Sequence, residues 1–189
     1  MIGFVRQRYC RRLFDKLLKK ERNRGIMRYD EAKSILLLFV MYNEAAWHIV
    51  NECTQKMEQE GKEVELLGVL PADVEREFLV ARTHTCLLDE KNNLNFWHLP
   101  RHEVVADLLN KRYDLLIDAT GTPNLISQYI ALMSDAAWRI AYSDRSQPQP
   151  KELNYSNEEI FDFVIRNDHP IDIPRYINDI EMYLKILKK

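Results

Sequence analysis

Apolar positions change their spacing several times along the chain, and each change marks an element. Tyr9, Cys10, Leu13, Phe14, Leu17 and Leu18 recur on one helical face, with basic side chains on the other faces. Gly25 is the expected stop, giving a helix of about five turns and a short polar link. Ser34 to Tyr42 (SILLLFVMY) is instead a continuous apolar run of strand length, the pattern of a strand covered on both sides. Asn43 can cap the next helix, which runs through Ala45, Trp47, Val50 and Cys53 to a stop at Gly61.

The alternation continues. Glu63 to Leu70 reads as a second strand, Pro71 and Asp73 open a short helix, and a third strand lies around Thr83 to Leu88. Lys91, Asn92 and Asn93 have turn chemistry, so Leu94 to Leu99 is expected to pair back on the third strand as a hairpin ended by Pro100. A helix over Arg101 to Lys111 precedes a fourth strand, Tyr113 to Ala119, and a helix from Asn124 to Met133 precedes a fifth, Ala137 to Tyr142. The loop Asp144 to Lys151, with Gln147-Pro148-Gln149-Pro150, leads to a sixth strand, Phe161 to Ile165, and a closing helix, Pro174 to Leu187.

Repeated strand–helix–strand units imply parallel strands joined by right-handed crossovers, with helices on both faces. The expected fold is α/β: a Rossmann-like three-layer sandwich with a mostly parallel sheet of about six strands, preceded by a basic amphipathic N-terminal helix. Residues 1–28 read as a helical arm and residues 29–189 as the α/β domain.

Composition narrows the function classes. The chain has 189 residues, 46% hydrophobic and 30% charged, which suits one domain and excludes disordered, collagen-like and disulfide-stapled architectures. The net charge of −2 conceals segregation: ten basic and two acidic residues in 1–28 make the arm +8 and leave the remainder at −10. A basic arm on an acidic body implies a protein partner or an anionic surface (RNA or membrane), and its amphipathic helix could also form a homodimer. Cys10, Cys53 and Cys86 are scattered and odd in number, which suits a reducing compartment. The apolar run Ile35 to Tyr42 is too short to span a bilayer, and the charge after Met1 does not fit a signal peptide, so a cytoplasmic setting is expected.

Ligands of such sheets bind beyond the carboxyl ends of the strands, where strand order reverses. If the first strand adjoins the fourth, that crevice is lined by the loops Tyr42-Asn43-Glu44 and Asp118-Ala119-Thr120-Gly121-Thr122-Pro123-Asn124. Asn43, Glu44, Asp118, Thr120, Gly121 and Asn124 are therefore the candidate ligand-binding residues. Gly121 permits a tight backbone path, and the helix starting near Asn124 offers free N–H groups to an anion. The same residues also read as an ordinary cap and turn. No GxGxxG follows the first strand, where Asn43-Glu44-Ala45-Ala46 stands, and there is no Walker A sequence. Nicotinamide, flavin and P-loop nucleotide readings fail on that ground, and no cofactor is expected.

The expected hairpin would set His84 opposite His98 and Cys86 opposite Phe96. With His102 in the next turn, His84, Cys86 and His98 could then form a zinc set, although their spacing matches no standard zinc signature. No GxSxG is present, and Asp118 could be a general base, although a carboxylate at a strand end more commonly holds the N–H groups of its own loop. These features lead to a non-catalytic binding or accessory module. The alternative is a small-molecule binding protein or enzyme for a nucleotide- or sugar-type ligand, using the crevice.

Lys91-Asn92-Asn93-Leu94-Asn95-Phe96-Trp97-His98-Leu99-Pro100 and the later Tyr113-Asp114-Leu115-Leu116-Ile117-Asp118 together resemble a bacterial family of short, single-domain Rossmann-like proteins of unknown function. In that family an "LNWFG-x-P"-like hairpin precedes a "DLLIDL" strand, an "A-x-x-K-x-G"-like strand and a late "YD-x-x-I". Here Ala136 to Ala141 and Phe161 to Ile165 stand for the last two. His98 and Ala141 replace the family's glycines. The resemblance implies the fold and a basic first helix, and no activity. The fourth strand and its helix are more distantly similar to the first lobe of heptose-type glycosyltransferases, which complete their site with a second lobe.

Overall fold

The computed structural model describes residues 2–22, 27–74, 84–146 and 155–186. Helix α1 (Ile2–Leu18) is followed by β1 (Ser34–Val40), α2 (Glu44–Gln59), β2 (Glu63–Leu70) and β3 (Thr85–Asp89). Then come α3 (His102–Leu109), β4 (Arg112–Ala119), α4 (Leu125–Met133), β5 (Asp135–Asp144), α5 (Asn157–Ile160), β6 (Phe163–Asn167) and α6 (Ile173–Ile186). The six strands form one sheet in the order β3-β2-β1-β4-β5-β6, and every pair is parallel. This is the Rossmann-like arrangement, with the reversal of order between β1 and β4.

The apolar run of β1 lies in the middle of the sheet because it can be buried on both faces. Leu36 and Leu38 join Leu116 and side chains of α1, α3 and α4 in one core, while Ile35, Leu37 and Phe39 join Leu115, Ile117 and side chains of α2 and α6 in the other. In β2, Gly68 leaves the space that the Phe39 ring fills; a Cβ there would sit 2.9 Å from Phe39 Cζ.

Helix α1 does not stand clear of the body. Cys10 and Phe14 are buried in the first core, Tyr9 stacks on Trp97 at 4.2 Å between ring centroids, and Phe14 lies 5.8 Å from Tyr155. The helix ends at Leu18, well before Gly25, which falls outside the described residues. Just beyond it, Arg22 forms a largely buried ion pair with Asp162 at the entry to β6.

The expected hairpin is absent. Leu94 makes only an isolated antiparallel bridge to Pro100, and nothing in 94–100 pairs with β3. The asparagines explain the difference. Asn93 Oδ1 accepts from Asp89 N (2.8 Å), Asn95 Oδ1 accepts from Trp97 N (2.8 Å) and Leu99 N (3.2 Å), and Asn93 O accepts from Arg101 N (2.9 Å). A segment that satisfies its own backbone in this way has little reason to extend a ladder. The short helix expected after Asp73, the start of the third strand at Thr83 and the Gln147–Pro150 loop lie wholly or partly outside the described residues. Helix α5 was not foreseen: Ser156 and Glu159 cap it reciprocally, and Phe161, expected in the last strand, closes it instead. Among the described residues no helix is long and apolar enough to cross a membrane.

Candidate functional site

Strand order makes the crevice real. Leu38 lies opposite Asp118 and Phe39 opposite Ala119, so the loops leaving β1 and β4 start side by side. Helices α2 and α4 lie on opposite faces of the sheet, and the two chains diverge as they leave it. A cleft of about 600 Å³ opens beside them, reaching from Tyr42 and the end of β2 to Glu90, His98 and the first turn of α4. Arg6 of α1 forms part of its wall.

The β4–α4 loop is held as a unit. Asp118 is 2% exposed, and its Oδ1 accepts from Thr120 N at 2.9 Å. Asn124 Nδ2 donates to Thr120 Oγ1 (2.9 Å) and Thr122 O (3.2 Å), while Asn124 Oδ1 caps α4 by accepting from Ser127 N (2.8 Å). Gly121 takes φ +85°, and a Cβ there would stand 2.8 Å from Ile171 Cγ2, so both conformation and space require glycine. The cap leaves the N–H groups of Leu125 and Ile126 without intrahelical acceptors, and both residues line the cleft.

Burial pushes the Asp118 carboxyl above the usual carboxylate range, opposed by hydrogen bonds from Thr120 and Ser127. The folded chain therefore holds this proton more tightly than the unfolded chain. Asp118 favours folding most below the ordinary carboxylate value, and that advantage is lost as pH rises through the raised one. Asp118→Asn keeps an acceptor for Thr120 N and removes the titration. Its melting temperature should rise relative to the parent as the pH climbs from about 4 through the raised carboxyl value. A difference that stays flat with pH would overturn this account of Asp118.

Of the six candidate ligand-binding residues, only Asn124 stands on the cleft wall, beside Thr122 and Pro123. Asp118, Thr120 and Gly121 set the loop from behind. Asn43 is spent as the α2 cap, its Oδ1 accepting from Ala46 N at 2.9 Å, and Glu44 is exposed and pairs with His48 at 3.5 Å. Arg6 and Glu90 are not singled out by the sequence, and His98 is singled out only as a metal ligand. Arg6 is invisible from sequence because only the packing of α1 brings it to the cleft. His98 arrives through the asparagine-held turn, at φ +60° with its N–H donating to Asn95 O.

The zinc set does not assemble. His84 precedes β3 and pairs with Glu65 at 3.5 Å, whereas His98 lies past the other end of that strand. Cys86 Sγ donates to Val104 O at 3.5 Å, and His102 opens α3. Among the described residues no three His, Cys, Asp or Glu side chains are grouped to hold a metal. Burial raises the Cys10, Cys53 and Cys86 thiols, leaving less of the reactive thiolate. A second cavity, of about 430 Å³, contains Lys62, Glu65, His84 and Lys111. It lies at the amino ends of the strands, where such sheets do not ordinarily bind ligands.

The cleft thus combines one guanidinium, two free helix N–H groups, one carboxylate, an exposed Tyr42 ring and an apolar floor including Val40 and Val69. Such a surface can hold an anionic group at one side and a ring or hydroxyl-bearing body across the rest.

The chain belongs to a family of unknown function (DUF6913), whose model matches residues 6–187. No curated protein matches it.

Proposed function

We propose that the chain is a binding module that takes a small anionic ligand of nucleotide or sugar type in the cleft beyond β1 and β4. The observation that carries this reading is the coincidence of a cavity of ligand size with the point where strand order reverses. Arg6 and the first turn of α4 would hold the anionic group, Tyr42 would stack on a ring, and Glu90 would accept hydroxyls. Binding is favoured over turnover because no hydroxyl or thiol among the described lining residues is hydrogen-bonded to a histidine or carboxylate.

A thermal-shift screen of nucleotides, nucleotide sugars and sugar phosphates tests it. A ligand at 100 times its Kd stabilises by about 2.7 kcal/mol, which raises the melting temperature by roughly 5 to 10 °C at this chain length. Arg6→Ala should weaken the response by about tenfold in ligand concentration, since a lost charged contact is worth about 1.5 kcal/mol or more. Tyr42→Ala should weaken it as well. A ligand whose shift survives both substitutions does not bind in this cleft.

A further inference from the structure

The outward face of α1 remains unexplained by the cleft. Cys10 and Phe14 turn the apolar stripe inward, so the face left in solvent is basic. Arg8, Arg12 and Lys16 follow one another at steps of four residues along one side of the helix, and Lys19, in the turn just after it, continues this basic ridge. All four are exposed, and none has an ion-pair partner among the described residues. The single acidic residue of the helix, Asp15, is hydrogen-bonded to the Tyr155 hydroxyl, so the body occupies it.

At the amino-terminal end the ridge carries apolar side chains. Phe4 is 69% exposed, and Val5 and Tyr9 are exposed beside it. Phe96, also 69% exposed, stands edge-on to Trp97, which in turn stacks on Tyr9. Large apolar groups next to an unpaired basic ridge are unfavourable in water, and both are stabilised at an anionic lipid–water interface. Nucleic acid would neutralise the same charges, but Val5 has no ring to stack on a base, and lipid suits the apolar group better.

We infer that α1 docks the protein on an anionic bilayer, with the basic ridge against the headgroups and Phe4, Val5 and Phe96 in the interface. The charge segregation supports one orientation. Residues 1–28 carry +8 and the remainder −10, so the same surface attracts the helix and repels the rest of the chain. The docking is peripheral, because the apolar stripe of the helix is already buried in the protein core. It does not depend on what the cleft binds.

Co-sedimentation of the full chain with vesicles tests it, comparing phosphatidylcholine alone with phosphatidylcholine containing about 30% phosphatidylserine. Binding should require phosphatidylserine and should fall steeply between about 50 and about 500 mM salt. A basic side chain near such a surface is worth about fivefold in partitioning, so Arg8→Ala/Arg12→Ala should lose about thirtyfold. Phe4→Ser/Phe96→Ser should lose about tenfold or more at unchanged charge. Both pairs are exposed, and an unchanged melting temperature controls for folding. The inference is overturned by equal binding to neutral vesicles, by no binding at low salt, or by either double variant partitioning like the parent. Capture of a labelled RNA oligonucleotide without vesicle binding would overturn it too, and would assign the ridge to nucleic acid.

Discussion

Truncating Phe14 to alanine is expected to cost about 3 to 5 kcal/mol, although the residue lies in a basic segment that reads as an appendage. Phe14 is only 2% exposed, contacts the ring of Tyr155 and belongs to the core that includes Leu36, Leu116 and Ile130. Removing the ring forfeits its transfer energy and leaves a cavity between α1 and the sheet that neighbouring side chains fill only in part. At this size each kcal/mol lowers the melting temperature by about 2 to 4 °C, so a fall of about 6 to 20 °C should follow. Urea unfolding gives the free-energy change directly. A loss below about 1 kcal/mol would mean that the helix contributes little to the body's stability.

The second large effect concerns the ion pair that holds the chain after α1. The Arg22 and Asp162 side chains are 7% and 12% exposed. Arg22 Nη1 also donates to Ala136 O at 3.4 Å, and Asp162 Oδ2 accepts from Arg139 N at 3.0 Å. Arg22→Met removes the cation that faces a largely buried carboxylate, which should cost about 3 to 5 kcal/mol. Asp162→Asn keeps an acceptor for Arg139 N but removes the negative charge that faces the Arg22 guanidinium, at a similar cost. The double variant carries no buried charge at the pair and should recover most of the loss, so the two effects are far from additive. Additive losses in a double-mutant cycle would show that these side chains act independently.

These two results bear on both functional proposals. Arg6 reaches the cleft and Arg8 faces outward only because Phe14 and Arg22 fix the rotation and position of the segment they belong to. A helix loosened at Phe14 should therefore weaken ligand response and vesicle binding together, whereas Arg6→Ala and Arg8→Ala/Arg12→Ala should separate them.

Much of the fold was legible in the amino-acid order because its determinants are local. An uninterrupted run such as Ile35 to Phe39 suits a strand covered on both faces, and asparagines before Glu44 and Leu125 cap helices by bonding to N–H groups three residues on. Alternating such elements leaves a parallel sheet as the economical way to bury them all. The loops flanking β1 and β4 were legible for the same reason. The rest depended on which distant surfaces meet. Periodicity placed an apolar stripe on α1 but could not say that Phe14 would meet Tyr155, and so could not bring Arg6 to the cleft. Turn chemistry at Lys91 to Asn93 suggested a hairpin, yet Asn93 and Asn95 turned their side chains onto the local backbone and carried His98 away from His84. Local hydrogen bonds and hydrophobic spacing are written along the chain, whereas a site assembled from α1, the β1 and β4 loops and the 90–98 turn exists only once the two sheet faces are packed.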